Sequence, residues 1–278
     1  MWAATRAELA PAALREAALG QAIVQRSARY TTDRDTLASP RPDGDGDLAA
    51  RALFFTVADA AKIWIPLGEL LGRGLIPTGA PLRVVDLGAG AGAMSLGLAG
   101  FLARHMPSVR AEILAIDRDR RALAILAAAA AKLAPPLAGT VAVSTRVATL
   151  GGAVSGPADL VLAGSVLNEL SPAAALDLVR AAMDALTPDG AVILIEPALR
   201  QVARRLHQLR DTVIAEGIAA VFAPCTRTVA PCPALADDRD WCHEDRPADL
   251  PPQLSRLARR TNLRTGGLKF SYLVLRRA

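Results

Sequence analysis

The run Val84-Val85-Asp86-Leu87-Gly88-Ala89-Gly90-Ala91-Gly92 sets a carboxylate two residues ahead of three alternating glycines. A buried strand that turns sharply into a helix beneath a bound nucleoside has this pattern. Glycines 88 and 90 allow a tight turn and let a ligand approach the backbone with no Cβ in the way, and Gly92 lets the following helix sit close to the strand. Residues Gly88 to Ala93 also satisfy G-x-G-x-x-G/A, so glycine spacing alone does not separate a nicotinamide or flavin site from a methyl-donor site. Asp86 makes the distinction. A carboxylate this close to a dianionic pyrophosphate would repel it, whereas S-adenosyl-L-methionine has no phosphate and offers a sulfonium and an ammonium. The expected cofactor is therefore S-adenosyl-L-methionine, bound by Asp86, Gly88, Gly90 and Gly92. Asp117 ends the apolar run from Ala111 to Ile116 and is placed to hold both ribose hydroxyls, close to the roughly 20 residues expected between glycine loop and ribose-binding acid. Arg118, which could favour a 2′-phosphate, is expected to be an ordinary surface residue.

Methyl transfer from a sulfonium is an in-line displacement, so positioning and desolvation do most of the work, helped by a proton acceptor where the nucleophile is protonated. The segment Ala163-Gly164-Ser165-Val166-Leu167-Asn168-Glu169-Leu170 should face that centre. Asn168 and Glu169 are its catalytic candidates, Glu169 as a possible base. The alternative is that they merely cap the helix starting near Pro172. Glu196, at the end of a later strand, is a candidate of the same rank. The segment has no Asn-Pro-Pro-Tyr clamp for an exocyclic base amine and no cysteine for a covalent pyrimidine adduct,.

The elements that position these residues follow from hydrophobic period. Helical patterns run from Thr5 to Arg29 and from Leu48 to Leu71, separated by a Pro-, Asp- and Gly-rich loop. They form an expected N-terminal helical cap, residues 1–78, able to close over a cofactor. Strands near 83–87, 112–116, 140–145, 159–163 and 191–195 then alternate with helices near 93–105, 120–133 and 172–186. That alternation implies an α/β fold, a doubly wound, mostly parallel Rossmann-like sheet with its ligand outside the carboxyl ends of the strands. A long helix from Ala198 leads to a short strand at 218–222. The chain closes on a strand, Lys269-Phe270-Ser271-Tyr272-Leu273-Val274-Leu275, and these last two strands are expected to form an antiparallel edge. The resulting partition is a cap (1–78), a core (79–222), a Cys-containing insertion (223–267) and a final core strand (268–278).

The chain has 278 residues, of which 52% are hydrophobic, and a formal net charge of +5. That length accommodates one large core domain with a helical appendage. The charge suits a phosphate-rich partner without deciding the matter. Apolar stretches are broken well before the ~20 residues a membrane span needs, and Met1 to Arg6 is not the start of a signal peptide. The expectation is a cytoplasmic protein with no membrane and no DNA partner. Cys225, Cys232 and Cys242 are the three cysteines of the chain. An odd number in so short a stretch argues against a disulfide framework. Three thiols held by stiff Pro-rich turns suit Zn²⁺ or an iron–sulfur site. Their spacing matches neither zinc ribbons nor ferredoxin runs, so small buried residues that happen to be cysteine are the competing explanation.

The glycine loop, Leu167-Asn168-Glu169-Leu170, Ile195-Glu196-Pro197, the Pro-Cys…Pro-Cys-Pro…Trp-Cys-His loop and the terminal Lys-Phe-Ser-Tyr-Leu strand together resemble the methyltransferase-like assembly factors of the mitochondrial ribosomal small subunit and their bacterial relatives. The resemblance runs from about residue 50 to the end. It implies a class I methyltransferase fold, association with the small ribosomal subunit or its rRNA precursor, and an iron–sulfur cluster (4Fe-4S in mitochondrial members, zinc being the alternative) held by Cys225, Cys232 and Cys242. Mitochondrial members use four cysteines, whereas this chain has three. His243 is the nearest substitute, though it can equally be an ordinary loop histidine. Arg264-Thr265-Gly266-Gly267-Leu268 replaces the acidic residues expected before the last strand. Two functions follow, an active RNA methyltransferase or a cofactor-binding assembly factor that transfers nothing; a small-molecule methyltransferase is a third.

Overall fold

A computed structural model of the chain describes all residues except 33–43, 134–139, 151–153, 155, 226, 228, 265–266 and 278. The first helical pattern is divided in two, α1 (Trp2–Glu8) and α2 (Glu16–Thr31). Pro11 accounts for the break, since it disfavours helix at Ala10, whose ψ of 137° is extended, and leaves only a short 3₁₀ turn between the helices,. The second pattern is a continuous but irregular helical run: α3 (Asp45–Ala50), a π turn (Arg51–Phe55), α4 (Thr56–Asp59), a 3₁₀ turn (Ala60–Ile63) and α5 (Trp64–Leu71). Each departure from α geometry rotates the side chains that follow, and π turns tend to occur at functional sites.

The βα units follow as expected: β1 (Leu82–Leu87), α6 (Ala93–His105), β2 (Ala111–Asp117), α7 (Arg120–Ala130), β3 (Val141–Val147), β4 (Ala158–Gly164), α8 (Pro172–Ala185), β5 (Leu186–Pro197), α9 (Arg200–Ala215) and β6 (Ala220–Ala223). Residues 223–267 also contain β7 (Glu244–Arg246) and α10 (Pro252–Thr261), ahead of β8 (Leu268–Arg276). The eight strands form one sheet in the order β3-β2-β1-β4-β5-β8-β6, with β7 also paired to β8. Strands β1 to β5 are mutually parallel. The expected antiparallel edge is present, formed by β8 and β6. Only β8 runs against its neighbours, because α9 carries the chain back across the sheet so that β6 starts in the direction of β5, and β8 then inserts between them,.

Strands buried on both faces read as continuous apolar runs, and β4 and β5 do so,. One face packs on α5 and α6 through Leu67, Leu98 and Phe101; the other packs on α8 and α9 through Val179, Leu206 and Val213. The N-terminal helices share a third core with α7 and α10, where Ile23, Leu53 and Phe54 meet Ile125 and Leu257. Among the described residues no helix is long and apolar enough to cross a membrane.

The irregular run 45–71 lies against α6 at a point of backbone contact. A Cβ on Gly97 would stand 2.1 Å from the carbonyl oxygen of Ala60 and 2.8 Å from Ile63. Trp64 Nε1 fixes the same junction by donating to the Gly97 carbonyl at 2.9 Å. Gly97→Ala should therefore cost about 1–3 kcal/mol, the typical penalty of overpacking. Urea unfolding checks this; an unchanged midpoint would show that the run and α6 do not meet as described.

Candidate cofactor site

Strand order reverses at β1, which has β2 on one side and β4 on the other. The carboxyl ends of β1 and β4 therefore open a crevice, the usual ligand position in doubly wound sheets. The glycine loop spans this crevice, with positive φ at Gly88 (66°), Gly90 (52°) and Gly92 (95°). At Gly92 a side chain is excluded twice, by its φ and by Leu126 of α7, whose Cδ1 lies 2.3 Å from the position a Cβ would take,.

Above the loop lies a cavity of about 410 Å³, walled by Gly88, Gly90 and Asp117 from the sheet ends, Gly164, Ser165 and Glu169 from the segment after β4, and side chains of α2 and the run 45–71. Asp117 connects β2 to the loop, accepting from the Gly90 amide through Oδ2 and the Asp119 amide through Oδ1, both at 2.8 Å. A carboxylate oxygen has two lone pairs, so both retain acceptor capacity toward the cavity. Asp119 in turn caps α7, accepting from the Arg121 and Ala122 amides.

Asp86 is not at the cavity wall. Side chains alternate along β1, and Asp86 falls on the face covered by α6, where it is 1% exposed. Its Oδ2 accepts from the Ser95 amide at 3.0 Å and the Ser95 hydroxyl at 2.5 Å. The carboxylate expected to face a sulfonium instead holds the first turn of α6 under the loop. Burial, with the field of Asp117 added, pushes its pKa up to about 7 against the lowering effect of the Ser95 bonds.

The segment after β4 separates the two catalytic candidates. Glu169 lines the glycine-loop cavity and lies 3.8 Å from Arg118. Burial raises its pKa; Asp117 adds to the rise, and Arg26, Arg118 and Arg51 oppose it. Asn168 lines a different cavity, of about 250 Å³, between α8 and α9. There it hydrogen-bonds Glu196, whose Oε1 also accepts from the Val166 and Leu167 amides at 3.0 and 2.9 Å. Glu196 is thus the clamp of this turn, and burial pushes it up to about 7. Neither Asn168 nor Glu169 caps α8. Ser171 does, accepting from the Ala174 amide at 3.2 Å with Pro172 in the first turn,.

Several cavity residues carry no sequence motif. Arg51, in the π turn, reaches Asp47 at 3.2 Å and bonds Asp119, tying the run 45–71 to the start of α7. Arg26 donates to Asp47 and to the Tyr30 hydroxyl, and it lies over the Tyr30 ring at 4.4 Å. Lys62, Asp59, Arg264 and Lys269 line the cavity beyond Pro197. Only the packing of the run 45–71 against the chain near β8 brings Asp59 and Lys62 together with Arg264 and Lys269.

The cysteine loop lies along α9. The Cys242 amide donates to His207 Nε2 at 3.0 Å, the Cys232 amide donates to Asp211 at 2.8 Å, and Arg210 bonds Cys225. Burial and the fields of Cys225 and Cys232 raise the Cys242 thiol, while burial lowers His207. His243 stacks on Trp241 with ring centroids 5.5 Å apart. Among the described residues no three His, Cys, Asp or Glu side chains are arranged to hold a metal. The thiols therefore do not fit a cluster as they stand.

A family model for "Mitochondrial small ribosomal subunit Rsm22" matches residues 71–278. The chain belongs to the Rsm22 family. No curated protein matches it in sequence. Among solved structures, it is similar to magnesium protoporphyrin IX methyltransferase from Synechocystis PCC 6803 with bound S-adenosylhomocysteine: 13% identity, 92% of this chain, 99% of that chain, TM-score 0.50. The same enzyme with bound S-adenosylmethionine gives 14% identity, 92% and 97% coverage and a TM-score of 0.48. Mitomycin 7-O-methyltransferase gives 14% identity, 97% and 69% coverage and a TM-score of 0.44. The first of these likenesses establishes the fold alone, a Rossmann-like sheet of the kind class I methyltransferases have.

The two raised carboxyls yield a pH dependence. Asp86 and Glu196 bind protons more tightly when folded than at their ordinary values near 4, so their contribution to stability is full at low pH and is lost as pH rises through about 7,. Between pH 8 and pH 6 the chain should gain stability from this source, and Asp86→Asn and Glu196→Gln should each flatten the gain. Denaturant unfolding across that range measures it; equal slopes in parent and variants would contradict the burial of these groups.

Proposed function

We propose that the chain binds S-adenosyl-L-methionine in the cavity over the glycine loop and acts on or with the RNA of the small ribosomal subunit, or its precursor, during subunit assembly. The convergence of Gly88, Gly90, Asp117 and Glu169 at the switch point of the sheet, in a cavity of about 410 Å³, carries this reading. Small-molecule sites are typically about 300–1,000 Å³. Membership of a family described by the small ribosomal subunit supports the partner. In this reading the ribose hydroxyls lie on the free lone pairs of Asp117, and Asp86 contributes by fixing α6 rather than by touching the ligand.

A cofactor-binding assembly factor that transfers nothing is the second reading, and one observation favours it. Of the two catalytic candidates, Asn168 is turned onto Glu196 and Glu169 stands beside Asp117, at the ribose end. Calorimetry with S-adenosylmethionine should register binding, and Asp117→Ala should weaken it about tenfold or more, since the carboxylate's charged hydrogen bonds are lost. Absence of binding would end both readings. Methyl label from the cofactor entering small-subunit RNA would establish the enzyme; tight binding without label would establish the silent factor.

We further propose that Cys225, Cys232 and Cys242 hold a metal centre, an iron–sulfur cluster or zinc, once the loop closes. The chemistry of the thiols and their common attachment to α9 support this; the present arrangement of the side chains does not. Anaerobic purification followed by iron, sulfide and zinc analysis is the test. Iron with sulfide identifies a cluster, stoichiometric zinc replaces it, and a metal-free protein refutes the proposal.

A further inference from the structure

The cavity end farthest from Asp117 has a charge imbalance. Sheet order places Asp117 on the β2 side of the switch point, while Pro197 of β5, Leu263 and Arg264 bound the opposite side. On that side Lys62 is 2% exposed, and its Nζ lies 3.0 Å from Asp59 Oδ1. The Arg264 guanidinium reaches the same oxygen at 2.9 Å. Burial pushes the Asp59 carboxyl up, but Arg264 and Lys62 outweigh it and hold the group below its ordinary value, so it is ionised. Burial lowers Lys62 to about 8 against the pull of Asp59, which leaves it charged at neutral pH. One buried cation, Lys62, and one partly buried cation, Arg264, thus share one anion.

Neighbouring charges restore the balance only in part. Glu196, the next carboxyl whose field reaches Lys62, places its Oε1 on the Val166 and Leu167 amides. Lys269, at the mouth, is paired with Asp245 at 2.9 Å. A buried charge without a counter-charge is costly, and a ligand anion is the simplest remedy. The Arg264 backbone points the same way. Its φ is +60°, an unfavourable conformation for a residue with a side chain, maintained while the guanidinium enters the cavity,.

We propose that this end of the cavity is an oxyanion seat in which Arg264 and Lys62, steered by Asp59, bind a phosphate group carried by the acceptor. The inference rests on the methyl-donor reading of the cavity. The guanidinium fork suits a phosphate, and Arg264, 23% exposed in its side chain, together with the half-exposed Lys269, leads the seat outward to solvent, from where an acceptor arrives,. The carboxylate of a bound methyl donor offers the same chemistry from within, and competition separates the two sources.

The test uses the full chain, with S-adenosylhomocysteine binding followed by calorimetry and inorganic phosphate binding followed by ³¹P NMR at constant ionic strength. Phosphate should bind the chain saturated with S-adenosylhomocysteine. Arg264→Ala should weaken phosphate about tenfold, as expected for a lost charged hydrogen bond, and Arg264→Lys should weaken it less. Mutual exclusion of the two ligands would assign the seat to the cofactor's carboxylate and overturn the proposal. So would phosphate affinity indifferent to Arg264→Ala, or no phosphate binding at all. Failure of S-adenosylhomocysteine to bind, with phosphate still sensitive to Arg264→Ala, would remove the methyl-donor reading and retain the seat.

Discussion

The glycine loop keeps its shape because two carboxylates grip it from different directions. Asp86 reaches under the loop to Ser95 and fixes where α6 begins. Asp117 reaches across from β2 to the Gly90 amide. Helix starts leave amides unsatisfied, and a tight loop leaves more, so acceptors from the strands on either side provide what the backbone cannot. Everything else at the site is placed relative to this loop. The Asp86 bond is buried and its partner is neutral, which accounts for a carboxyl that holds its proton near neutrality.

The roof depends on a second set of charged contacts. Asp47 receives Arg26 and Arg51, and Arg51 also bonds Asp119, the residue that caps α7 just beyond Asp117. Partly buried ion pairs of this kind contribute little net stability once desolvation is counted, yet breaking one partner is costly. Their effect is geometric. They fix the run 45–71 in one register over the sheet, and the π turn that carries Arg51 also brings Phe55 to the cavity wall.

Much of the sheet was legible in the sequence, because buried parallel strands separated by amphipathic helices leave a strong periodic signal, and a glycine-rich turn after the first strand marks the switch point. The placing of Gly88, Gly90 and Asp117 side by side at the strand ends was legible for the same reason, being imposed by the local chain path. The orientation of Asp86 was not. Proximity in sequence suggested that it faced the ligand, whereas strand alternation sends it beneath the loop. Asn168 and Glu169 are adjacent in sequence yet line different cavities, since a 3₁₀ turn from Leu167 to Glu169 points successive side chains in different directions. Asp59 and Lys62 form a local i,i+3 pair, but its meeting with Arg264, 205 positions on, was illegible because so distant a pair has no local signature.

Helix α9 connects the two parts of the molecule that the sequence singled out separately. Arg205 donates to the Leu170 carbonyl at 2.5 Å, at the end of the turn that carries Asn168 and Glu169. From the same helix Arg204 donates to the carbonyls of Ala234, Asp237 and Asp240, and His207, Arg210 and Asp211 hold the cysteine segments. Consecutive turns of one helix move as a rigid unit, so the separation of the Leu170 turn from the thiol loop is set by the 1.5 Å rise per residue of α9. His207 Nε2 is committed to the Cys242 amide, and Ser271 of β8 holds the Cys242 carbonyl at 2.8 Å. Cys242 is therefore held from two sides, by α9 through its amide and by β8 through its carbonyl, whereas Cys232 is held through its amide by Asp211 of α9.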